Sequence, residues 1–275
     1  MPPAGRARPV ARPHWWGTAA YVPLLYALGF ALSRPLGWLR PEWRADQVDL
    51  AGVAIAFGLL LATLPWRIRR AWGSRTPWQS LGLAAPPGSA LVQVLGGLLQ
   101  AVVLLGLTAS ALLLGAQAQW SGRLAPDLVA NALLLGLGVG LAEEVLFRGW
   151  LWGELNLQIG RRRALVLQAA IFALVHPWYR APGLQGIVLL GGLLLLGLAL
   201  GLRKLADGGA LWGAVALHGG LVGGWFLVQK GLLTIAPAAP AWWAGAGSAG
   251  DVNPIGGLVG WLGLLVLLWW LRRQT

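Results

Sequence analysis

The chain has 275 residues, of which 57% are hydrophobic and only 11% are charged. About a quarter of the residues in a soluble domain are charged, so this composition excludes an ordinary soluble protein. The absence of cysteine excludes disulfides, thiolate metal sites and cysteine nucleophiles. The net charge of +12 is typical of arginine-rich loops in a polytopic membrane protein, and no basic stretch belongs to a soluble domain that would bind nucleic acid.

Apolar stretches of membrane-spanning length recur along the chain and predict an all-α fold, a polytopic bundle of about eight transmembrane helices. They cover residues 15–33, 48–66, 89–116, 128–148, 164–180, 186–202, 209–228 and 255–271. The first opens with Trp15 and Trp16, which suits a retained span better than a signal peptide. The fourth has room to continue through Trp152 toward Asn156. One linker-like segment, rich in Ala, Pro and Gly, extends from Thr234 to Pro254.

The distribution of basic residues predicts the orientation of these spans. With the N-terminus in the cytoplasm, the cytoplasmic segments hold 15 of the 21 Lys and Arg residues, and they begin with Arg6, Arg8 and Arg12. Basic residues are concentrated on the cytoplasmic side of membrane proteins. We therefore expect both termini of a multi-pass membrane protein to lie in the cytoplasm. The expected location is a bacterial plasma membrane, although no residue pattern identifies which membrane holds the protein.

Three ionisable residues follow an uncharged apolar run in the fourth span. Such groups are costly to bury in a membrane and usually have a function there. Glu144 and Arg148 are four positions apart and share one helix face, whereas Glu143 is rotated by about 100° and faces elsewhere. These residues are suited to activating water. The alternative interpretation is a Glu–Arg pair that caps the cytoplasmic end of the span, with Glu143 extending toward the headgroups.

Two histidines lie in later spans. Pro177 follows His176 and predicts a kink or a helix end there, while the glycines around His218 permit close helix approach. Both histidines lie 13 or 14 residues beyond basic residues, about 20 Å along a helix. Glu143 reaches the same depth only if the fourth helix continues well past Arg148. Alternatively, each histidine bonds a neighbouring helix without a catalytic role.

The sequence EEVLFR at 143–148 resembles the EExxxR motif of the CPBP family, the CAAX proteases and bacteriocin-processing enzymes also called Abi proteins. The sequence FALVH, which runs from Phe172 to His176, resembles the second motif, FxxxH. His218 falls where the third motif begins. The similarity covers roughly residues 125–228.

The resemblance implies an eight-helix intramembrane endopeptidase with glutamate-dependent chemistry. Glu143 would activate water, and Glu144 with Arg148 would support the site. His176 would position or activate the water, and His218 would help to stabilise the oxyanion. The chain then divides into residues 1–125 with three spans and no family motif, 126–228 with the catalytic core, and 229–275 with an outer loop and the last span.

One position departs from the family pattern. The third motif usually reads HxxxN or HxxxD, but Val222 occupies its last position and has no hydrogen-bond donor. Loss of an oxyanion donor costs about 10²–10³ in rate. Val222 therefore favours the alternative of a non-catalytic scaffold or immunity protein. A transporter is a third alternative, because buried charges and broken helices also mark transport paths, although no internal repeat is evident.

Two glutamates and two histidines also allow a zinc site, but the HExxH motif that places two histidines on one metal is absent. The resemblance implies a metal-free reaction, and we expect no cofactor. The expected partners are a membrane-associated peptide or protein substrate and membrane lipid. No residue pattern identifies a prenyl group, a particular substrate or an oligomeric state.

Overall fold

The computed structural model describes residues 13–248 and 251–275. The helices are α1 (Trp15–Leu39), α2 (Ala45–Ala71), α3 (Pro77–Leu81), α4 (Pro87–Leu114), α5 (Pro126–Ile159), α6 (Arg161–Val175), α7 (Leu184–Ala206), α8 (Trp212–Leu227) and α9 (Leu258–Arg272). Four short strands are β1 (Ala118–Trp120), β2 (Leu233–Ile235), β3 (Ala246–Ser248) and β4 (Asp251–Asn253). The predicted all-α class is confirmed.

Five helices are long and apolar enough to cross a membrane, namely α1, α2, α4, α5 and α7. Their length and apolar composition indicate an integral membrane protein. A helix overlaps each of the other three predicted spans, but α6 and α9 have only 15 residues, and α8 has 16 before it continues as a π-helix, Val228–Leu232. The count of eight spans and the cytoplasmic termini therefore remain predictions. Arg6, Arg8 and Arg12, on which the orientation partly rests, lie outside the described residues.

Helix α5 is the longest of the described helices and positions the candidate site. It continues without a break to Ile159, so the predicted extension past Trp152 is confirmed. Its middle section, Val145–Leu151, is a π-helix, a widened turn that is frequent at functional sites. Glu143 lies near the middle of α5, about 24 Å along the axis from Ile159. This distance is similar to the separation of about 20 Å expected between His176 and the arginines at the start of α6.

Helix α8 packs between α4 and α5 through glycines that let the backbones touch. A Cβ atom added at Gly140 of α5 would lie 2.9 Å from Cα of Gly219 on α8. A Cβ at Gly97 of α4 would lie 2.8 Å from the backbone nitrogen of Leu217. Side chains larger than hydrogen would separate the helices at these contacts. The close packing therefore sets the position of His218, which lies between Leu217 and Gly219.

The segment expected to be linker-like has local structure in its described part. Strand β2 pairs antiparallel with β1, with Ala118 opposite Ile235. Strand β3 pairs antiparallel with β4, and a helical turn, Ala241–Ala244, precedes β3. The small residues and prolines of this segment did not indicate the strands, because the hydrogen bonds that pair the strands come from the backbone.

Candidate active site

Glu144 and Arg148 form a fully buried ion pair on one face of α5. Nη1 of Arg148 lies 2.8 Å from Oε1 of Glu144, and neither side chain is exposed. Nη2 of Arg148 donates to the carbonyl oxygen of Gly197 on α7 at 3.2 Å, and Gln168 of α6 donates to the same oxygen. The ion pair predicted from the i, i+4 spacing of Glu144 and Arg148 is therefore present, and it joins α5 to α7 inside the bundle.

The same carboxylate oxygen binds His218 of α8. Nδ1 of His218 lies 2.8 Å from Oε1 of Glu144, and the histidine is buried. Since a carboxylate engaged by arginine accepts hydrogen bonds, Nδ1 of His218 carries the hydrogen. Glu144 consequently fixes both the orientation and the tautomer of His218.

Glu143 faces a different side of α5 and meets both histidines. Its Oε2 lies 3.4 Å from Nε2 of His176 and 3.8 Å from Nε2 of His218. The Glu143 side chain is 28% exposed, whereas Oε2 itself is buried and has no hydrogen-bond partner among the described residues. Three side chains from α5, from the end of α6 and from α8 thus converge on one point.

His176 is held by the end of α6. The helix ends at Val175, and the backbone N–H of His176 donates to Ala173. The carbonyl oxygen of Phe172, four positions earlier, then accepts from Nδ1 of the His176 ring at 2.6 Å. Because a carbonyl only accepts, Nδ1 carries the hydrogen and Nε2 faces Glu143. The predicted helix end at His176 is confirmed.

Phe172 lies at the centre of the site and is fully buried. The guanidinium carbon of Arg148 is 4.3 Å from its ring centroid, a cation–π contact. The rings of His176 and His218 lie 4.3 and 5.8 Å from it, centroid to centroid. Phe172 therefore supports three polar residues of the site with one aromatic surface.

Nε2 of His176 presents a lone pair 3.4 Å from Oε2 of Glu143, because Nδ1 carries the hydrogen of the ring. Two hydrogen-bond acceptors therefore face one point, and a donor with two hydrogens, such as water, fits between them. Among the described residues, no group of three or more His, Asp or Glu side chains has the arrangement of a metal site. The expectation that the protein needs no cofactor remains a prediction.

The count of basic residues placed Arg148 and Lys204 in cytoplasmic segments. Arg148 instead lies inside α5 and is fully buried, not in a connecting segment. Lys204 of α7 donates to the carbonyl oxygen of Arg148 at 2.7 Å. Gln168 was not singled out at all, although a lone glutamine in an apolar span is a signal for a buried hydrogen bond.

A second buried polar cluster lies further along α5 and was also missed. Both nitrogens Nε and Nη2 of Arg67 on α2 bind the carboxylate of Glu154, at 2.6 and 2.7 Å. Thr18 of α1 and Trp150 of α5 donate to the same carboxylate. Glu154 is fully buried. The cluster therefore attaches the α1–α2 hairpin to the helix that carries Glu143.

Two segments of the chain match the sequence models of known families. Residues 3–76 match a Domain of unknown function (DUF8676), in a region where no family motif was seen. Residues 125–223 match the family described as Type II CAAX prenyl endopeptidase Rce1-like. No curated protein and no solved structure matches the chain. Residues 125–223 thus form an Rce1-like segment, which confirms the resemblance to the CPBP family that the three motifs indicate.

Proposed function

We propose that the protein is an intramembrane endopeptidase that hydrolyses peptide bonds of membrane-associated proteins or peptides with water activated by Glu143. The observation that carries the proposal is the convergence of Glu143, His176 and His218 within 4 Å in a segment similar to CAAX prenyl endopeptidases. We place the enzyme in a bacterial plasma membrane, with eight spans and both termini in the cytoplasm.

In the first step Glu143 acts as the general base. A water molecule beside Oε2 donates one hydrogen bond to Glu143 and one to Nε2 of His176. Glu143 takes a proton, and the hydroxide attacks the carbonyl carbon of the peptide bond. His176 orients the oxygen lone pair toward that carbon, because its ring is fixed by the Phe172 carbonyl. Proton transfer by a positioned side chain contributes about 10²–10⁴ in rate.

In the second step the tetrahedral intermediate carries a negative oxygen, which His218 stabilises. Nδ1 of His218 is engaged by Glu144, so only Nε2 is free for this role. The ring carries a hydrogen on each nitrogen throughout the cycle, opposite the Glu144 carboxylate, so Nε2 donates to this oxygen without a further proton being needed. The C–N bond then breaks, and the leaving amine takes the proton held by Glu143. This restores the Glu143 carboxylate.

A non-catalytic scaffold or immunity protein is the second candidate function. Val222 favours it, because the side chain lies one helical turn after His218 and supplies no second oxyanion donor. The two candidates differ in what Glu143 does. A scaffold needs its carboxylate only for packing, whereas an enzyme needs a base at that atom.

The deciding experiment is Glu143→Gln in an assay of peptide cleavage. An internally quenched, prenylated CaaX peptide in detergent micelles is the first probe, because the matched family is named for such substrates. Gln keeps the size of the side chain but has no basic oxygen, so cleavage should fall by about 10²-fold or more. The melting temperature should stay close to that of the wild type, since the Glu143 side chain is partly exposed.

Leu141→Ile is a matched control on the same helix, because it changes an apolar side chain and leaves the polar site intact. If the wild type cleaves and Glu143→Gln cleaves equally fast, Glu143 is not the base. Two results together would support the scaffold. The folded wild-type protein would cleave no such peptide, and the Glu143→Gln variant would keep full biological activity in cells.

A further inference from the structure

A cavity of about 380 Å³ lies at the end of α5 that is remote from Pro126. It is bounded by the end of α2, by α3, by the last turns of α5 and α7 and by the first residue of α6. Its lining includes two tryptophans, two serines and two cations: Trp72, Trp152, Ser74, Ser80, Arg161 and Lys204. No Asp or Glu is among the described residues that line it. The cavity is therefore positively charged and rich in hydrogen-bond donors.

The two cations of this cavity have no acidic partner. Neither Lys204 nor Arg161 has a carboxylate within 4 Å in the described part of the chain, and Lys204 is half-buried. Lys204 donates to the backbone of Arg148, and its ammonium lies 5.4 Å from the ring of Trp152. The carboxylate of Glu144 attracts Lys204 from a distance but is already engaged by Arg148 and His218, so an anion in the cavity would be stabilised by the lysine.

One uncommitted donor belongs to a residue that lines the same cavity. Nε1 of Trp72 is buried and has no acceptor among the described residues. The hydroxyls of Ser74 and Ser80 lie 2.6 Å apart, and Ser80 donates to the carbonyl oxygen of Thr76 at 3.1 Å, so Ser74 donates to Ser80 and both hydroxyl hydrogens are used within the protein. An acceptor oxygen of a ligand would give the indole N–H the partner that it lacks.

Helix α6 adds a third, independent contribution. Its first turn begins at Arg161, contains three arginines and has no acidic residue. The N-terminus of a helix carries partial positive charge and free N–H groups, so cations are unfavourable there and anions are bound. Of the three arginines only Arg161 lines the cavity, so it is the one that adds positive charge there to the potential of the helix end.

We propose that this cavity binds a phosphate group. A tetrahedral phosphate offers several acceptor oxygens and at least one negative charge, which matches a lysine, an arginine and an indole N–H. The group comes either from the headgroup of an anionic phospholipid or from a soluble phosphate. The tryptophans favour the lipid headgroup, because indoles concentrate at membrane interfaces. This site is separate from the site for peptide hydrolysis.

Binding to the purified full-length protein in neutral detergent tests the proposal. Three probes are titrated by calorimetry: dioctanoyl phosphatidic acid, inorganic phosphate and dioctanoyl glycerol, which has the same acyl chains without phosphate. Each is measured on the wild type, Arg161→Gln, Arg162→Gln and Lys204→Gln. Arg162 is the matched control, because it is the neighbouring arginine, is exposed and does not line the cavity.

We expect phosphatidic acid to bind and dioctanoyl glycerol not to bind. Arg161→Gln and Lys204→Gln should each weaken binding about tenfold to a hundredfold, the usual effect of losing a charge-assisted hydrogen bond. Arg162→Gln should weaken it by no more than about twofold, since an exposed charge at a distance is screened. Inorganic phosphate with an affinity close to that of the lipid would assign the site to soluble phosphate, and lipid binding alone would assign it to a headgroup.

Two results would overturn the proposal. One is the absence of binding by both phosphate probes. The other is an equal loss of affinity for Arg161→Gln and Arg162→Gln, which would indicate general surface charge. Because Arg161 is exposed, its variant stays informative if Lys204→Gln does not fold. The assay does not depend on cleavage, so it separates this proposal from the proposed endopeptidase.

Discussion

Oε1 of Glu144 accepts from Arg148 of its own helix and from His218 of α8, at 2.8 Å in each case. One oxygen therefore holds two residues of the site, while Glu143, the neighbour of Glu144 in sequence, is directed at the Nε2 atoms of His176 and His218. The division of tasks follows from helix geometry, because adjacent residues differ in direction by about 100°. At the scale of single residues, the two glutamates are not interchangeable.

Arg148→Ala should therefore act on stability as well as on cleavage. The change leaves Glu144 fully buried without its arginine, and breaking a buried ion pair costs about 3–5 kcal/mol. The free energy of unfolding, measured by SDS titration in mixed micelles, should fall by that amount, and cleavage should be lost. Arg162→Ala, at an exposed arginine, is the control and should change little. Wild-type stability of Arg148→Ala would contradict the structural role assigned to the pair.

Val222→Asn tests whether the missing donor limits the reaction. Residue 222 follows His218 by four positions on α8, so both side chains lie on one helix face. An amide there restores the donor of the family motif, and we expect kcat to rise by at least about tenfold, part of the 10²–10³ that one oxyanion donor contributes. Val222→Leu has nearly the shape of Asn without a donor and should give no increase. Equal rates for the two variants would show that residue 222 does not reach the oxyanion.

At the scale of helices, the candidate site follows largely from spacing along the chain. The i, i+4 relation predicted the Glu144–Arg148 pair, and the proline after His176 predicted the end of α6. The direct contact of His218 with Glu144 was not predictable, because it depends on how closely α8 packs against α5 at Gly140. The π-helix in α5 was missed for a related reason: no residue type marks it, and a carbonyl in it is bound by Lys204 from a distant helix.

The α1–α2 hairpin is the part of the fold that sequence motifs described least. Its attachment depends on Arg67 and Glu154, which are 87 positions apart, so no local pattern links them. Each residue alone is typical of a helix end near a membrane surface. Together with Thr18 and Trp150 they form a hydrogen-bonded cluster that fixes the hairpin to α5. This attachment gives the domain of unknown function a structural role next to the Rce1-like segment.

Arg67→Ala should loosen this attachment. Glu154 would stay buried with only neutral donors, and we expect the free energy of unfolding to fall by about 3–5 kcal/mol in mixed micelles. Arg69→Ala, two residues further along α2 and exposed, is the matched control and should have little effect. The combined change Arg67→Met with Glu154→Leu removes both charges and should recover much of the loss, since an apolar pair of similar volume carries no desolvation cost. Equal stability of the Arg67 and Arg69 variants would refute the attachment.

At the scale of the whole molecule, the ends of the helices determine how the bundle lies in a bilayer. Helix α5 is about 51 Å long, and the hydrocarbon core of a bilayer is about 30 Å thick. One end of α5 therefore extends beyond the core, and Arg161–Arg163 directly follow the end at Ile159. Arginines at that end indicate the cytoplasmic side, because basic residues are retained there. Glu143, near the middle of α5, then lies at the depth of the hydrocarbon.

The orientation can be measured with fusions to reporters that are active on one side of the membrane only. We expect residue 275 in the cytoplasm, because Arg272 and Arg273 lie at the C-terminal end of α9. A fusion at Ala239, before the helical turn Ala241–Ala244, should report the opposite side, since α9 lies between the two positions. The bias toward cytoplasmic arginines persists without Arg148, which is buried in the bundle. Reporters at residues 239 and 275 that are active on the same side would show that α9, with its 15 residues, does not cross the membrane, and eight spans would then be wrong.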